Sequence, residues 1–497
     1  MQKTSIGIVL TSLLAATVAF AQWEPDQRLT NDPASSKTAE NSNTWAVAAR
    51  GDTVHVVWAD ERHSTAYDEI YYKRSTDGGV TWGSDVRLTN NTGRSWCPSV
   101  AVAGDNVHVV WEDSRSGDWY DIYYRRSTDG GTTWVPEVLF PLAPRLGFEP
   151  SVAVAGDSVH VVWDGLPNET GRPLEVYYRR STDGGATWGG VTRLTNDSSD
   201  YAWQPSVAAA GANVHVAWYD GRHGPTSPAE IYYKRSTDGG STWESDMRLT
   251  NSIPNSQWTS IAAAGGSVHV VWSDVRDGGA NEIYYKRSTD NGATWPTSPG
   301  GDTRLTPADG KTSYFPSVAT ADTNVHVVWC DRRDSISGDE VYYKRSSDGG
   351  TTWGSDIRLT VNDDMQSRHP SVAVAGAALH VVWYDNRDGD YEIYYKRNPT
   401  GNVAVSEPGL RGPCCILSVS PNPLTTGFAT LRFSLSSPGP VSVAVFDVAG
   451  RAVIRQSAIY NLQPVMPLDL RKVPAGVYLV RLDADGYTTT QKLVVQR

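Results

Sequence analysis

Ser75-Thr76-Asp77-Gly78-Gly79-Val80-Thr81-Trp82 is the stretch whose reading decides the fold, because it returns five more times in a chain of 497 residues. All copies have the form Ser-x-Asp-x-Gly-x-Thr-Trp, and the later ones end at Trp134, Trp188, Trp243, Trp295 and Trp353. A second phrase, Val-His-Val-Val-Trp with small variations, serves as a ruler. Its histidine stands at His55, His108, His160, His215, His269, His326 and His380, with successive spacings of 53, 52, 55, 54, 57 and 54 residues. A fixed period of this length marks a propeller or a solenoid.

Each period holds four short β-rich runs separated by Gly, Asp and Asn turn signals. The second shows them as Ser-Val-Ala-Val-Ala from Ser99, Val-His-Val-Val-Trp from Val107, Asp-Ile-Tyr-Tyr from Asp121 and Val-Leu-Phe from Val138. A four-stranded unit cannot bury both faces alone and must stack radially on its neighbours, so each period reads as a propeller blade. The outermost strand reads Arg-Leu-Thr at Arg87, Arg193, Arg248, Arg304 and Arg358. An orphan copy, Arg28-Leu29-Thr30, precedes the first full blade, while the last unit stops after Tyr394-Tyr395-Lys396-Arg397 and has Asn398-Pro399-Thr400-Gly401 where the repeated phrase belongs. The two ends therefore complete one blade, which removes the exposed sheet edges. The expected fold is all-β: a seven-bladed β-propeller over 22–399 closed by an N-terminal strand, a linker over 400–416, and a small C-terminal β-sandwich over 417–497.

The six phrases resemble the Asp-boxes, or bacterial neuraminidase repeats, of the sialidase-like propellers. In that family the box is a structural hairpin between third and fourth strands, on the face opposite the active site. The residues suit that role: Asp77 can accept from turn amides, Gly79 permits a positive φ, and Trp82 is large enough to seal the space between blades. The last 80 residues or so resemble the type A C-terminal sorting domain of type IX secretion. The resemblance rests on Ser420-Pro421-Asn422-Pro423, the Asp447-x-x-Gly450-Arg451 turn, Pro474-Ala475-Gly476-Val477-Tyr478 and the terminal Lys492-Leu493-Val494-Val495. It implies passage through the outer membrane and a secreted or cell-surface location, with the type IX machinery as a partner.

Residues 1–21, with Lys3, an apolar run from Ile6 to Phe20 and Ala19-Phe20-Ala21, read as a secretory signal peptide. No other apolar run approaches membrane-spanning length, so no transmembrane segment is expected in the mature protein. A net charge of −11 argues against a nucleic-acid partner. Four cysteines, Cys97, Cys330, Cys414 and Cys415, show no framework spacing, and a Cys97–Cys330 bridge is not expected. No cofactor is expected, and no metal, since no two histidines lie at ligand spacing. A monomer is the expected state.

Subtracting the repeat isolates the candidate site. Of 19 tryptophans, seven end second strands and six end the boxes, leaving Trp23, Trp45, Trp96, Trp119, Trp203 and Trp258. Four of these precede an innermost strand, as do Phe148, Tyr314 and Arg368-His369. The candidate ligand-binding set is Trp45, Trp96, Phe148, Trp203, Trp258, Tyr314 and Arg368, an aromatic funnel mouth suited to sugar rings or to a glycosylated partner. A second ring, Trp-x-Asp-x-Arg, recurs in six blades at Asp60/Arg62, Asp113/Arg115, Asp220/Arg222, Asp274/Arg276, Asp331/Arg333 and Asp385/Arg387. Acids opening the third strand, such as Glu69 and Glu230, invite an Arg–carboxylate clasp within that hairpin.

The functional expectation is a secreted, surface-displayed propeller that binds glycans or glycosylated partners on the face opposite the boxes. The alternatives are an exo-acting glycoside hydrolase of exo-α-sialidase type and an adhesion or scaffold protein. A retaining sialidase uses three converging arginines, a tyrosine nucleophile beside a glutamate, and an aspartate acid/base. The loop residues that could answer to these are Arg94, Arg145 and Arg368 with Tyr201, Tyr314 and Glu149, but the chain contains no Arg-Ile-Pro motif and catalytic residues are not assigned.

Overall fold

Alternating burial along every repeat drives the chain into sheets. In Asn106–Asp113 the side chains from Val107 onward are all buried, because a blade's second strand has a neighbouring blade on each face. The computed structural model describes residues 23–401 except 40–44, 64–66, 118–119, 141–145, 167–173, 196–200, 223–228, 252–254, 298–300, 335–337 and 362–364. It also describes 418–496 except 421–423, 425–427, 433–438, 449–450, 461–464 and 485–486. Residues 1–22, which include the expected signal peptide, residues 402–417, Trp119 and Arg145 lie outside the described residues, and with them Cys414 and Cys415.

The chain divides into two compact units, residues 1–404 and 405–497. Among the described residues the first holds seven antiparallel sheets. Blade 2 is typical, with Ser95–Ala103 innermost, then Asn106–Asp113, Asp121–Ser127 and Val138–Leu139 at the rim. Blades 3 to 6 repeat it from Gly147–Ala155, Ala202–Ala210, Ser256–Ala264 and Ser313–Ala321. Blade 1 has Val47–Arg50 and Ser36–Lys37 both paired to Thr53–Asp60. In blade 7, Ser367–Ala375, Ala378–Asp385 and Glu392–Asn398 are followed by Gln27–Arg28, which pairs in register Gln27↔Tyr395 and Arg28↔Tyr394. The innermost strands touch in order around a closed ring, Val47–Arg50 meeting both Ser95–Ala103 and Ser367–Ala375.

The recurring serine of Pro-Ser-Val-Ala stitches this ring. Ser99 Oγ accepts from Val152 N at 3.3 Å, and Ser151, Ser206, Ser260 and Ser317 serve Val207, Ile261, Val318 and Val372 in the same way. Blade 1 has Ala46 in place of that serine, and there the Val100 amide donates to the Trp45 carbonyl at 2.8 Å.

The boxes form the hairpins expected. Asp77 accepts from Thr81 N at 2.9 Å, Thr81 Oγ1 at 2.6 Å and Ser75 Oγ at 2.7 Å. The Thr81 hydroxyl above all, with the Thr81 amide and Ser75, holds its carboxyl down at about 2. Trp134 packs edge-on against Tyr72 of the preceding blade, ring centroids 4.9 Å apart. The Tyr72 hydroxyl faces two ways: it bonds His55 Nδ1 at 2.7 Å and lies where a Cβ on Gly131 would stand, 1.9 Å away. Gly131, at φ 84°, thus meets both a conformational and a packing demand. Arg74 also crosses to the next box, donating to Gly130 O at 2.7 Å.

Two expectations are corrected. Trp23 is not surplus to the repeat: it stacks edge-on with Tyr343 at 5.0 Å, as the box tryptophans do with Tyr72 and its equivalents, so the N-terminal segment supplies the missing half of blade 7's box. The Trp-x-Asp-x-Arg arginine does not clasp the acid of the third strand. Arg62 grips its own Asp60, at 2.8 and 2.6 Å, and Asp85 ahead of the fourth strand, at 2.8 Å. Glu69 is held instead by Arg87, at 2.7 Å, and by Thr89 of the Arg-Leu-Thr strand. The register explains this, since Tyr71↔Arg87 sets the Arg-Leu-Thr side chains beside Glu69. Closure uses the same contacts across the chain ends: Arg387 and Lys396 both reach Asp26, at 2.8 and 2.7 Å.

The second unit pairs a three-stranded sheet (Ser418–Ser420, Phe428–Arg432, Val465–Asp469) with a four-stranded one (Ala452–Tyr460, Gly439–Phe446, Gly476–Ala484, Tyr487–Val495). Leu431 and Leu468 from the first meet Val443, Val445, Val480, Leu482 and Leu493 from the second in one buried core.

Candidate functional site

Boxes and first-to-second strand turns share one face of each blade, as the Gly130 amide bonded to Asp105 O at 2.8 Å shows. The opposite face carries the start of the first strand and the end of the second, and there the blades stop being alike. A β-bulge interrupts every innermost strand whose start is described: between Trp96 and Ser99, Phe148 and Ser151, Trp203 and Ser206, Gln257 and Ser260, Tyr314 and Ser317, and Arg368 and Ser371. At each bulge a non-glycine residue adopts a left-handed backbone: Cys97 (φ 45°), Glu149 (51°), Gln204 (49°), Trp258 (53°), Phe315 (51°) and His369 (48°). In five of the six a proline follows, which disfavours the right-handed helical conformation. Such a backbone costs about 1 kcal/mol or more at each non-glycine position and persists where surrounding structure over-determines it, characteristically at ligand sites.

These residues and their strand-two neighbours make contacts in two groups. On one side they are acidic and polar. The Glu149 amide donates to Glu112 Oε2 at 3.0 Å, Gln204 Nε2 to Glu149 Oε1 at 3.0 Å, and the Gln204 amide to Asp164 Oδ1 at 3.3 Å. On the other side they are aromatic: Trp258 lies 4.7 Å from Phe315, Phe315 stacks on His369 at 3.9 Å, and His369 stacks on Tyr384 at 5.4 Å. Burial pushes the Glu112 carboxyl up to about 7. Glu149 and Asp164 are raised well above the carboxylate range, first by burial and then by nearby acids, Asp164 for Glu149 and Glu112 for Asp164. The ring thus joins apolar platforms to carboxyl groups that burial raises above the ordinary carboxylate range, able to donate to or accept from a polyhydroxylated ligand.

The sequence-derived set does not lie at one level. Trp96, Phe148, Trp203, Tyr314 and Arg368 precede the bulge, Trp258 is the bulge residue itself, and Trp45 stands one position further along. Phe148, Trp203 and Trp258 are half-buried and offer ring faces, and Trp203 stacks on Tyr201 at 4.8 Å. Trp45 points across the ring, its Nε1 3.4 Å from Ser206 Oγ, and packs against the core between blades 5 and 6. Trp96 and Tyr314 are only 7% exposed, so their roles are packing, in contrast to the open platforms expected of them. The Arg94 guanidinium covers Trp96 at 3.5 Å.

Sequence reasoning missed Glu112, Asp164, Gln204, Phe315 and the bulge role of Glu149. A signal was present: the first x of Trp-x-Asp-x-Arg runs Ala59, Glu112, Tyr219, Ser273, Cys330 and Tyr384, and Asp164 fills the same slot in blade 3, where the phrase breaks off. The register Trp96↔Glu112 and Phe148↔Asp164 makes Asp164 the counterpart of Glu112, with Gly165 in the aspartate's place.

Of the arginines named for a sialidase-type site, Arg94 and Arg368 lie at the starts of blades 2 and 7 and have different partners. Arg94 pairs with buried Asp68 at 2.5 Å, and Arg368 and Arg332 both pair with buried Asp339, at 2.5 and 2.6 Å. Cys97 and Cys330 are both buried and form no disulfide. Among the described residues no cluster of His, Cys, Asp and Glu is arranged to hold a metal ion. A concavity of about 620 Å³ opens on the box face, among the turns carrying Arg50, Asp105, Asn106 and Asp157, away from the bulges.

Comparison with known proteins agrees with this architecture. Residues 157–388 match the BNR repeat-like domain and residues 418–496 the secretion system C-terminal sorting domain. The xyloglucanase Xgh74A of Acetivibrio thermocellus is 24% identical over 243 residues, 45% of this chain and 28% of the relative, so the chain spans less than a third of that protein's length. A polysaccharide lyase of family PL25, an ulvan lyase, superposes with a TM-score of 0.52 at 13% identity, covering 73% of this chain and 94% of the other, a likeness of fold alone. The Hadza microbial sialidase Hz136 gives a TM-score of 0.41 at 17% identity over 68% of this chain and 74% of its own. The sorting domain marks the protein for export across the outer membrane, to be secreted or held at the cell surface. Residues 157–388 are thus a BNR repeat-like domain within the all-β unit of repeated four-stranded sheets, and residues 418–496 a secretion system C-terminal sorting domain.

Proposed function

We propose that the protein is an exported glycan-binding propeller whose ligand lies across the bulge ring, on the face opposite the boxes. The observation that carries this reading is the repeated left-handed bulge, which holds Glu149 and Gln204 on one side and Trp258, Phe315 and His369 on the other. Carboxyl and amide groups match sugar hydroxyls, and the half-buried faces of Phe148, Trp203 and Trp258 match the C–H faces of pyranose rings. The activities named for the xyloglucanase and the ulvan lyase, both on polysaccharides, are consistent with it.

A hydrolase is the second reading, favoured by one observation: burial pushes the Glu112 carboxyl up to about 7, into the range of a general acid. The exo-sialidase form of it needs arginines that converge on a carboxylate, whereas Arg94 and Arg368 belong to blades 2 and 7 and pair with different aspartates, Asp68 and Asp339.

The test is proton NMR of the full propeller with a pool of neutral and sialylated oligosaccharides. Selective line broadening that disappears in Trp258→Ala, at unchanged melting temperature, is the expected result. Free-sugar resonances growing with time would move the assignment to hydrolysis, and an unchanged spectrum would move it to adhesion.

A further inference from the structure

We infer, resting on the glycan-binding reading, that Arg332 and Arg368 form an anion subsite of the bulge ring. Drawn together on Asp339 where blades 6 and 7 meet, they take a carboxylate or sulfate carried by the ligand.

Both arginines depart from the repeat. Arg332 precedes the clasp arginine Arg333, at a position held elsewhere by Glu61, Ser114, Gly221, Val275 and Asn386, none of them basic. Arg368 stands in the pairing register where other blades have Trp96, Phe148, Trp203, Gln257 and Tyr314. The two share Asp339, which is fully buried: one carboxylate oxygen accepts from Arg332 Nε at 2.6 Å and the other from Arg368 Nε at 2.5 Å.

The junction between blades 1 and 2 is built alike with a different charge count. The Asp68 carbonyl accepts from the Ser95 amide at 2.8 Å, as the Asp339 carbonyl does from the Ser367 amide at 2.7 Å. Asp68 pairs with one arginine, Arg94, at 2.5 Å, acid and base in equal number. One arginine therefore suffices for a buried acid at this place, and the second at Asp339 is surplus to the fold. Two guanidiniums on one carboxylate leave one positive charge, and it is open to solvent, since the Arg332 side chain is 46% and the Arg368 side chain 27% exposed. Among the described residues neither arginine has a second acidic partner. Arg332 Nη2 reaches the Tyr314 hydroxyl at 3.3 Å and Asp339 at 3.5 Å. Its Nη1 and both Nη groups of Arg368 bond none of the described residues and stay available to a ligand oxygen.

The pair also adjoins the aromatic platform. The Arg332 guanidinium stands 5.5 Å from the Tyr314 ring, which lies 4.8 Å from Phe315 and 6.1 Å from Trp258. A sugar ring on that platform carries its substituents toward the arginines. Guanidiniums already fixed by a common acid lose little freedom on meeting an oxyanion, and they keep their charge across the working pH range.

The experiment is titration calorimetry of the full chain at pH 7 and low salt with two matched pairs of probes. Hexagalacturonic acid is set against its methyl ester, and a κ-carrageenan hexasaccharide against the same oligosaccharide desulfated. The charged member of at least one pair is expected to bind about tenfold more tightly than its neutral twin, and the pair with the larger ratio identifies the substituent. Arg332→Gln should bring that ratio to within about twofold of unity at unchanged melting temperature, because it leaves Asp339 with one arginine, as Asp68 has. Arg332→Lys keeps the charge without the fork and should retain a preference of about threefold. It carries the test if Arg332→Gln does not fold, an undiminished ratio then counting against the inference. Neutral probes that bind as tightly as their charged twins, or a ratio that Arg332→Gln leaves unchanged, would overturn the inference while leaving glycan binding intact. Absence of binding for all four probes would instead overturn the glycan-binding reading and the inference with it.

Discussion

Acid should unfold this propeller through its seven strand histidines, well above the pH at which its box aspartates titrate. Each imidazole is buried, with Nδ1 committed to a tyrosine hydroxyl such as Tyr72 for His55 at 2.7 Å or Tyr178 for His160 at 2.8 Å. Protonation would place a charge in the sheet beside an arginine, Arg74 in the first case. Burial first, and that arginine second, lower the His55 pKa from 6.5 to about 4, and the other six fall to about 4 or about 3. A lowered histidine pKa means that the unfolded chain binds the proton more readily, so stability is complete above 6.5 and is lost as pH falls toward 4. Between pH 7.5 and 5.0 each site loses about 2 kcal/mol by linkage, and seven independent sites about 14 kcal/mol. Buried carboxyls act in the opposite sense. Glu112 and Glu282 are raised to about 7, and Glu149 and Asp164 are raised as well, so these groups take up protons in the folded state first. Glu112 and Glu282 return about 2 kcal/mol each, which leaves a net loss of about 10 kcal/mol that Glu149 and Asp164 lessen further, comparable to the whole stability of an ordinary domain. Urea unfolding followed by tryptophan fluorescence at pH 7.5 and 5.0 measures this directly, and His215→Gln should remove about one proton from the linkage slope. Stability at pH 5.0 equal to or above that at pH 7.5 would refute the reasoning.

Gly131→Ala should destabilise by about 3 kcal/mol, because its Cβ would meet the Tyr72 hydroxyl, while Gly51→Ala, at φ 55° with open space around it, should cost about 1 kcal/mol; thermal melts compare them. Trp23→Ala should lower stability by about 2 kcal/mol, as loss of a half-buried box tryptophan does in any blade, and denaturant melts showing no loss would remove Trp23 from blade 7's box. Trp258→Ala should abolish glycan binding with little change in melting temperature, whereas Trp96→Ala should melt early because Trp96 is packed beneath Arg94; calorimetry on both variants separates platform from core.

The fold was legible because its causes repeat. Six boxes, seven histidines and a split Arg-Leu-Thr strand report the same local geometry again and again, so period and closure could be read without a partner for any residue. The site was only half legible, for the opposite reason. Aromatics stood out against the repeat at Trp203 and Trp258, but the acids did not, since Glu112 and Asp164 occupy an unremarkable slot between a constant tryptophan and a position that is aspartate in six blades. Nor does a sequence reveal a bulge. Trp258 and Trp203 both look like tryptophans ahead of a strand, yet the register through Gln257↔Ser273 and Trp203↔Tyr219 places them one step apart.

That step is what lets a repeated scaffold carry an asymmetric site. A strand alternates its side chains between two faces, so in an unbroken ladder a residue at the mouth is tied to the parity of the core residues behind it. The bulge breaks that tie. After the irregularity at Trp96–Ser99 the pairing resumes as Ser99↔Val110 and Val100↔Val109, and the same resumption follows every other bulge. Whatever occupies position 97, 149, 204, 258, 315 or 369 therefore leaves the serine stitches and the buried valines undisturbed. Thiol, carboxylate, amide, indole, phenyl and imidazole all occur there on backbones within 8° of one another in φ. The constant part of each blade supplies the closed ring and bears the cost of the left-handed residue, and the chemistry presented to a ligand is set, blade by blade, by the one residue that the ladder does not constrain.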